Sequence, residues 1–109
     1  MDPTEAPVYT DDRGWVRSFN RFSAKDLHAV SMRPGAVRGN HSHRLPEVIS
    51  VIDGGGICEI EVTDEAKGKT EIIRVEHDQE AYKISAGIKH TVRNKGDRSI
   101  YLLCFFIDV

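Results

Sequence analysis

The chain has 109 residues, of which 39% are hydrophobic and 29% charged, and its formal net charge is −2. These values are those of one globular domain with a core of useful size. They provide no basic stripe for nucleic acid, and no apolar run is long enough to cross a membrane. Because no charged-then-apolar leader for export is present, we expect a cytoplasmic protein with neither nucleic acid nor membrane as a partner.

The N-terminal part of the sequence predicts an arm followed by two strands. Residues 1–10 contain two prolines and little periodicity, so we expect an extended arm, with residues 11–109 forming one β domain. Residues 15–22 alternate without a clean apolar face, which fits an edge strand or a strand that faces a subunit contact or a polar cavity. Residues 25–33 are predicted to form the next strand.

The following stretch holds three side chains that can ligate a metal. His41 and His43 are two residues apart, so on a strand they project from one face, about 6–7 Å apart. Glu47 has the same parity, although the Leu-Pro pair before it predicts a break or a corner. Far downstream, His90 lies in a second strand-like alternation.

This donor set of three imidazoles and one carboxylate suits divalent Zn, Mn, Fe, Co, Ni or Cu. The absence of a thiolate argues against a structural cysteine-rich zinc site and leaves a catalytic centre with open positions possible. The alternative is a polar strand end that binds no metal. With His90 present as well as His41, His43 and Glu47, the metal site is the preferred interpretation.

Short strands and glycine-rich turns continue to the end of the chain. Besides the strand that holds His90, strands are predicted at residues 47–52, 57–63, 70–76, 80–85 and 99–107. Asp53–Gly56 is a strong hairpin signal. No segment has a helical period, so the fold class is all-β. The last strand is apolar on both faces and needs cover on both; we expect the second cover to come from another subunit of a homodimer.

The ligand candidates lie in two motifs that resemble those of the cupins. The first cupin motif, G-x5-H-x-H-x3-E-x6-G, is matched at all its specified positions, which are Gly35, His41, His43, Glu47 and Gly54. The second, G-x5-P-x-G-x2-H-x3-N, is matched at Gly87, His90 and Asn94. It departs at Gln79, where glycine is usual, and at Ser85, where proline is usual. The resemblance implies a single-domain cupin double-stranded β-helix, a jelly-roll barrel, in which the three histidines and Glu47 converge on a divalent metal.

Arg38 is the candidate for holding the substrate. Its guanidinium could hold a phosphate or carboxylate by paired hydrogen bonds, the alternative being a surface arginine next to a turn. The Arg-Gly-x-His sequence at residues 38–41, together with Asp-x-Arg-Gly at 11–14, resembles short motifs of cupins that process nucleotide-linked deoxysugars. These include dTDP-4-keto-sugar 3,5-epimerases and 3,4-ketoisomerases, in which the arginine meets phosphate and the histidine moves a proton. Arg-Gly-Asn-His-x-His is also similar to the metal-binding cupin domain of capsular-polysaccharide UDP-sugar reductases.

Four other residues with reactive side chains are not assigned to the candidate site. Cys58 and Cys104 lie in apolar strand patterns and are expected to be buried, reduced side chains, with a disulfide or a reactive thiol as the less favoured alternative. His28 is interpreted as a strand-face residue rather than a ligand. His77 lies in a charged stretch and is expected to be solvated.

Three functions fit this sequence, each with a small-molecule partner. The leading hypothesis is an isomerase or epimerase of a nucleotide sugar or sugar phosphate, which moves a proton next to a keto group polarised by the metal. If no metal is bound, His41 is the candidate catalytic base. The same ligands would serve a metal-dependent dioxygenase if the metal is iron. The third hypothesis is a barrel that binds a metal or a small ligand without catalysis.

Overall fold

The computed structural model describes residues 5–20, 22–53, 57–75 and 80–108. Within these ranges the chain forms strands and turns, so the all-β prediction is confirmed. The strands are β1 Val8–Asp11, β2 Gly14–Arg17, β3 Ala24–Met32, β4 Val37–His41, β5 Glu47–Asp53, β6 Cys58–Asp64, β7 Lys69–Val75, β8 Ala81–Ile84, β9 Lys89–Asn94 and β10 Ile100–Ile107. The predicted hairpin turn at 54–56, with the motif position Gly54, and the predictions made for His77 and Gln79 lie outside the described residues. No helix in the described ranges is long and apolar enough to span a bilayer.

The strands form two antiparallel four-stranded sheets. The first sheet has the order β3-β10-β5-β8 and the second the order β4-β9-β6-β7, while β1 and β2 form a separate hairpin. Among the described residues no strand ladder joins the two sheets, so they form an open sandwich. The core consists of apolar side chains from both sheets, namely Met32, Ile49, Val51, Cys58, Ile60, Val75, Ile84, Val92, Ile100, Leu102 and Cys104.

Strand β10 is covered on its inner face along its length and on its outer face over its C-terminal half. One face belongs to the core between the sheets. On the other face, Phe105 and Ile107 pack with Val48, and the rings of Phe19 and Phe22 lie 5.1 and 5.9 Å from that of Phe105. Part of the cover that the sequence analysis assigned to a second subunit therefore comes from the same chain.

The strand predicted at residues 15–22 is shorter in the structure. Strand β2 ends at Arg17 and pairs with β1, which runs across the border drawn at residue 10 between arm and domain. After it the chain turns, and the Phe22 N–H donates to the Phe19 carbonyl at 3.1 Å. Phe19 and Phe22 would point to opposite faces of a continuous strand, whereas the turn brings both rings onto Phe105.

Asn94, the last residue of the second motif, connects the sheets at the end opposite the candidate site. It is 1% exposed, and its Nδ2 donates to the carbonyls of Met32 at 3.0 Å and Arg98 at 2.8 Å. Its Oδ1 accepts the Gly96 N–H at 3.0 Å. Since Met32 ends β3 and Asn94 ends β9, this motif residue has a structural role.

Candidate metal centre

A β-bulge in β4 determines where His41 points. Opposite β9, Gly39 pairs with Thr91 and His41 with His90, so Asn40 is an extra residue in the ladder. Asn40 has a φ of +64° and Gly39 one of +104°. A Cβ on Gly39 would lie 2.8 Å from the His90 carbonyl oxygen, so only glycine allows the two strands to approach this closely.

His43 lies beyond the end of β4, so the prediction that His41 and His43 share a strand face is wrong in its geometry. The loop is held by Gly87 of the second motif, whose N–H donates to the His43 carbonyl at 2.9 Å. The imidazole packs edge-on against the ring of Phe106, with 4.7 Å between the ring centres. A loop contact, rather than strand parity, therefore places this side chain.

The three motif histidines converge. The ring centre of His41 lies 4.3 Å from that of His43 and 5.1 Å from that of His90, and His43 and His90 are 5.3 Å apart. One ring nitrogen from each lies within 4.8 Å of those of the other two. His90 is buried, His43 is half-buried and His41 is exposed, so the cluster runs from the interior to the protein surface.

Glu47 brings its carboxylate to this cluster from the opposite sheet. It begins β5, is 7% exposed, and its Oε1 lies 2.8 Å from His90 Nε2 and 3.9 Å from His43 Nε2. Burial lowers the pKa of His43, and the carboxylate offsets this only in part. Burial also acts to lower the pKa of His90, but hydrogen bonds to Glu47 and to the Ile88 carbonyl outweigh it and raise the pKa. The structure thus brings together all four residues that the sequence identified as ligands.

These residues fit a divalent cation. Zinc and its neighbours bind imidazole nitrogen and carboxylate oxygen, and ligating histidines commonly donate their second nitrogen to a carbonyl. His90 has this arrangement, with Nδ1 3.3 Å from the Ile88 carbonyl oxygen and Nε2 facing the cluster. Three imidazoles and a buried carboxylate are a donor set that suits a divalent ion, which would also compensate the charge of the carboxylate.

The cluster opens into a cavity of about 450 Å³ between the sheets. One wall is polar, with Arg38, His41, Glu47 and His90, and another is apolar, with Val30, Met32, Ile49, Val92 and Leu102. Arg38 pairs with Val92 across the ladder and is exposed at the cavity. The cavity has the size and mixed lining of a small-molecule site.

Sequence reasoning missed two residues at this site, His28 and Cys104. Both line the cavity, and the Nε2 of His28 lies 4.0 Å from Glu47 Oε2. Burial, with Glu47 nearby, raises the pKa of the Cys104 thiol to about 12. No local motif could have identified them, since they meet only through the pairing of β3 with β10.

Comparison with known proteins identifies the fold. No family model and no curated protein sequence matches this chain. Among solved structures, the capsular polysaccharide assembling protein CapF of Staphylococcus aureus matches with a TM-score of 0.68 and 22% identity, over 95% of this chain and 29% of CapF. The sugar 3,4-ketoisomerase QdtA of Thermoanaerobacterium thermosaccharolyticum, in complex with TDP, matches with a TM-score of 0.76 and 16% identity, over 96% of this chain and 78% of QdtA.

RmlC of Streptococcus suis, in complex with dTDP-D-xylose, matches with a TM-score of 0.69 and 18% identity, over 96% of this chain and 62% of RmlC. The chain therefore spans under a third of CapF but most of QdtA. At these identities the likeness establishes the fold, and it agrees with the two sequence motifs. The chain has the jelly-roll fold of the RmlC-like cupins.

Proposed function

We propose that this chain holds a divalent metal ion on His41, His43, His90 and Glu47 and isomerises or epimerises a nucleotide-linked keto sugar. One observation carries the proposal: three of the candidate ligands, His41, Glu47 and His90, line the same cavity as Arg38. The fourth, His43, lies beside His41 and His90. One small substrate could therefore reach the Arg38 guanidinium with its phosphate and the candidate metal centre with its carbonyl group. That QdtA is a sugar 3,4-ketoisomerase seen with TDP, and RmlC is seen with dTDP-D-xylose, supports this substrate class.

The metal and the protein would have separate roles. A bound divalent ion would supply Lewis-acid polarisation of the keto oxygen and so acidify the neighbouring C–H. Because the three histidines would then be ligands, the proton would pass to and from a base outside the ligand set. Arg38 binds the phosphate by charge-assisted hydrogen bonds. The apolar wall with Met32, Val92 and Leu102 packs against the substrate and excludes water. In a metal-free site, His41 would be the base, because it is the exposed member of the cluster.

Solvent-deuterium exchange tests this proposal directly. TDP-4-keto-6-deoxyglucose is incubated in D₂O with the chelator-treated protein and with the same protein reloaded with Zn, Mn, Fe, Co, Ni or Cu. We expect deuterium to enter next to the keto group, by NMR, only after reloading with at least one of these metals. Exchange that survives chelation would assign the proton transfer to His41 without metal.

The other two hypotheses have their own readouts. Absence of exchange with every metal would overturn the isomerase proposal. Oxygen consumption with the iron form would then favour a dioxygenase, and tight ligand binding without turnover would favour a non-catalytic barrel. A thermal shift reports such binding, because a ligand that binds only the folded state raises the Tm.

We further propose that the protein is a cytoplasmic homodimer. The outer face of the first sheet is covered by Phe19 and Phe22 at one end, but at the other end Ile52 and Tyr101 are 43% and 48% exposed. A second copy could cover these side chains. Two free buried cysteines suit a reducing compartment. Analytical ultracentrifugation of the wild-type chain and of Tyr101→Glu tests the dimer, since the variant should sediment as a monomer, and cell fractionation tests the compartment.

A further inference from the structure

The inner face of the first sheet carries a second group of donor atoms next to the candidate metal centre. His28 on β3 and Cys104 on β10 are direct partners across the ladder. Cys104 also pairs with Ile49 on β5, two residues after Glu47, so Glu47 shares this face. One ligand atom from each of His28, Glu47 and Cys104 lies within 4.8 Å of the other two.

A strained bulge aims His28 at this group. Cys104 pairs with His28 and Phe106 with Lys25, so β3 has one more residue than β10 between these two pairs. Within this bulge Asp26 has a φ of +58°. Its carbonyl accepts a hydrogen bond from His28 Nδ1 at 2.7 Å, which leaves Nε2 free to face Glu47. Asp26 and Asn40 are the only non-glycine residues of the described chain with positive φ, and each lies one or two residues before a cavity histidine. Backbone strain of this kind is concentrated at functional sites.

His28 is held in the manner of a metal ligand. Its Nδ1 contacts the carbonyl two residues earlier, the same arrangement that His90 makes with Ile88. This contact fixes the tautomer and the ring orientation, as it does for most ligating histidines.

Glu47 lies between the two groups of donors. Its Oε1 faces His90 and His43, whereas its Oε2 is 4.0 Å from His28 Nε2. A carboxylate that presents one oxygen to each side can bridge two cations, and bridged pairs in enzymes are about 3.5–4 Å apart.

We propose that His28, Glu47 and Cys104 form a second divalent cation site, occupied together with the first and bridged to it by Glu47. Tetrahedral ligands at about 2.0–2.3 Å from zinc are about 3.3–3.8 Å apart, so these side chains need to move by a few tenths of an ångström up to about 1 Å. A nitrogen, oxygen and sulfur donor set takes Zn²⁺ or Co²⁺ in preference to Mg²⁺ or Ca²⁺. Binding exchanges the Cys104 thiol proton for the cation, and the proton passes to solvent.

The test is a Co²⁺ titration of the metal-free full chain under reducing conditions, followed by visible and near-ultraviolet absorption. We expect saturation at two equivalents per chain, with a sulfur-to-cobalt charge-transfer band. His28→Ala and Cys104→Ser should each saturate at one equivalent, and Cys104→Ser should lose the band. Cys58→Ser is the matched control, because Cys58 is equally buried in the core but outside this donor group; it should keep both equivalents and the band.

Saturation of the wild-type chain at one equivalent, or a band that persists in Cys104→Ser, would overturn the proposal. If Cys104→Ser does not fold, His28→Ala decides the stoichiometry, since its ring is partly exposed and contributes little to the core. The measurement uses no sugar. The inference rests on the first metal site proposed above but not on the sugar chemistry, so failure of the isomerase reaction alone leaves it unaffected.

Discussion

Arg38 and His41 lie on the same face of β4 although they are three residues apart. Arg38 pairs with Val92 and His41 with His90, and these two partners share one face of β9. In a regular strand, residues three apart point to opposite faces. The extra residue Asn40 shifts the alternation of β4 by one, so that Arg38 and His41 point to the same face. The bulge therefore places the guanidinium and the His41 imidazole in one cavity.

Arg38→Ala should weaken the binding of TDP about ten- to a hundredfold. A charge-assisted hydrogen bond contributes about 1.5–3 kcal/mol, and 1.4 kcal/mol corresponds to a factor of ten in affinity. Isothermal titration measures the Kd. Arg33→Ala is the control, because Arg33 is exposed but does not line the cavity. Equal affinities in the two variants would remove Arg38 from the phosphate site.

Gly39→Ala should lower both stability and metal content. The new Cβ would meet the His90 carbonyl oxygen at 2.8 Å and would sit at a φ of +104°, and strain of this kind costs roughly 1–3 kcal/mol. Gly35→Ala separates the two causes, because Gly35 has a φ of +80° with nothing within 4 Å. We expect both variants to lose Tm but only Gly39→Ala to lose metal, by elemental analysis. Equal metal content would mean that the spacing of β4 and β9 does not control the site.

Features that depend on local spacing could be predicted from the sequence. The all-β class, the turns after Arg33 and Asp64, and the identity of the clustered residues His41, His43, Glu47 and His90 follow from alternation and from motif spacing. The bulge at Asn40 could not be predicted, since a single extra residue changes strand parity without a composition signal. Strand parity therefore gave the wrong reason for the meeting of His41 and His43.

Long-range pairing explains what the sequence missed. His28 meets Cys104 only because β3 pairs with β10, and neither residue has a motif around it. Phe19 and Phe22 appeared to belong to one strand, but their common contact with Phe105 stops the strand at Arg17. In both cases contacts between segments distant in sequence determine the structure, and such contacts cannot be predicted from local propensity.

His43→Ala should remove most of the metal bound at the centre formed by His41, His43, His90 and Glu47, and it should leave the fold intact. One of the converging imidazoles is lost, whereas the core between the sheets contains none of them. Even the loss of an outer-shell partner lowers metal affinity about 10–100-fold, so a lost ligand should cost at least as much. Elemental analysis and circular dichroism give the two readouts. An unfolded variant would show that the metal is structural.

The unfolding free energy should fall at high pH because of Cys58. Burial raises the pKa of its thiol from 9.0 to about 11, and Glu59 adds to this. The folded state therefore favours the neutral thiol. This contribution is complete below pH 9 and is lost as the pH rises toward 11, at about 1.4 kcal/mol per pH unit. Urea unfolding at pH 7.5 and 10.5 measures the fall, which should be smaller in Cys58→Ala. An identical fall in that variant would assign the effect to other groups.

Phe19→Ala should destabilise the fold by roughly 2–3 kcal/mol. Its ring packs edge-on against Phe105, with 5.1 Å between ring centres, and covers the outer face of β10. The loss combines the edge-to-face contact with the transfer and cavity costs of a half-buried ring. Tyr9→Ala is the control: Tyr9 is 65% exposed, so the variant should change stability by less than about 0.5 kcal/mol. Urea unfolding compares the two variants. If Phe19→Ala is as mild as Tyr9→Ala, the first sheet does not depend on Phe19 for its outer cover, and a partner subunit again becomes the main candidate for that role.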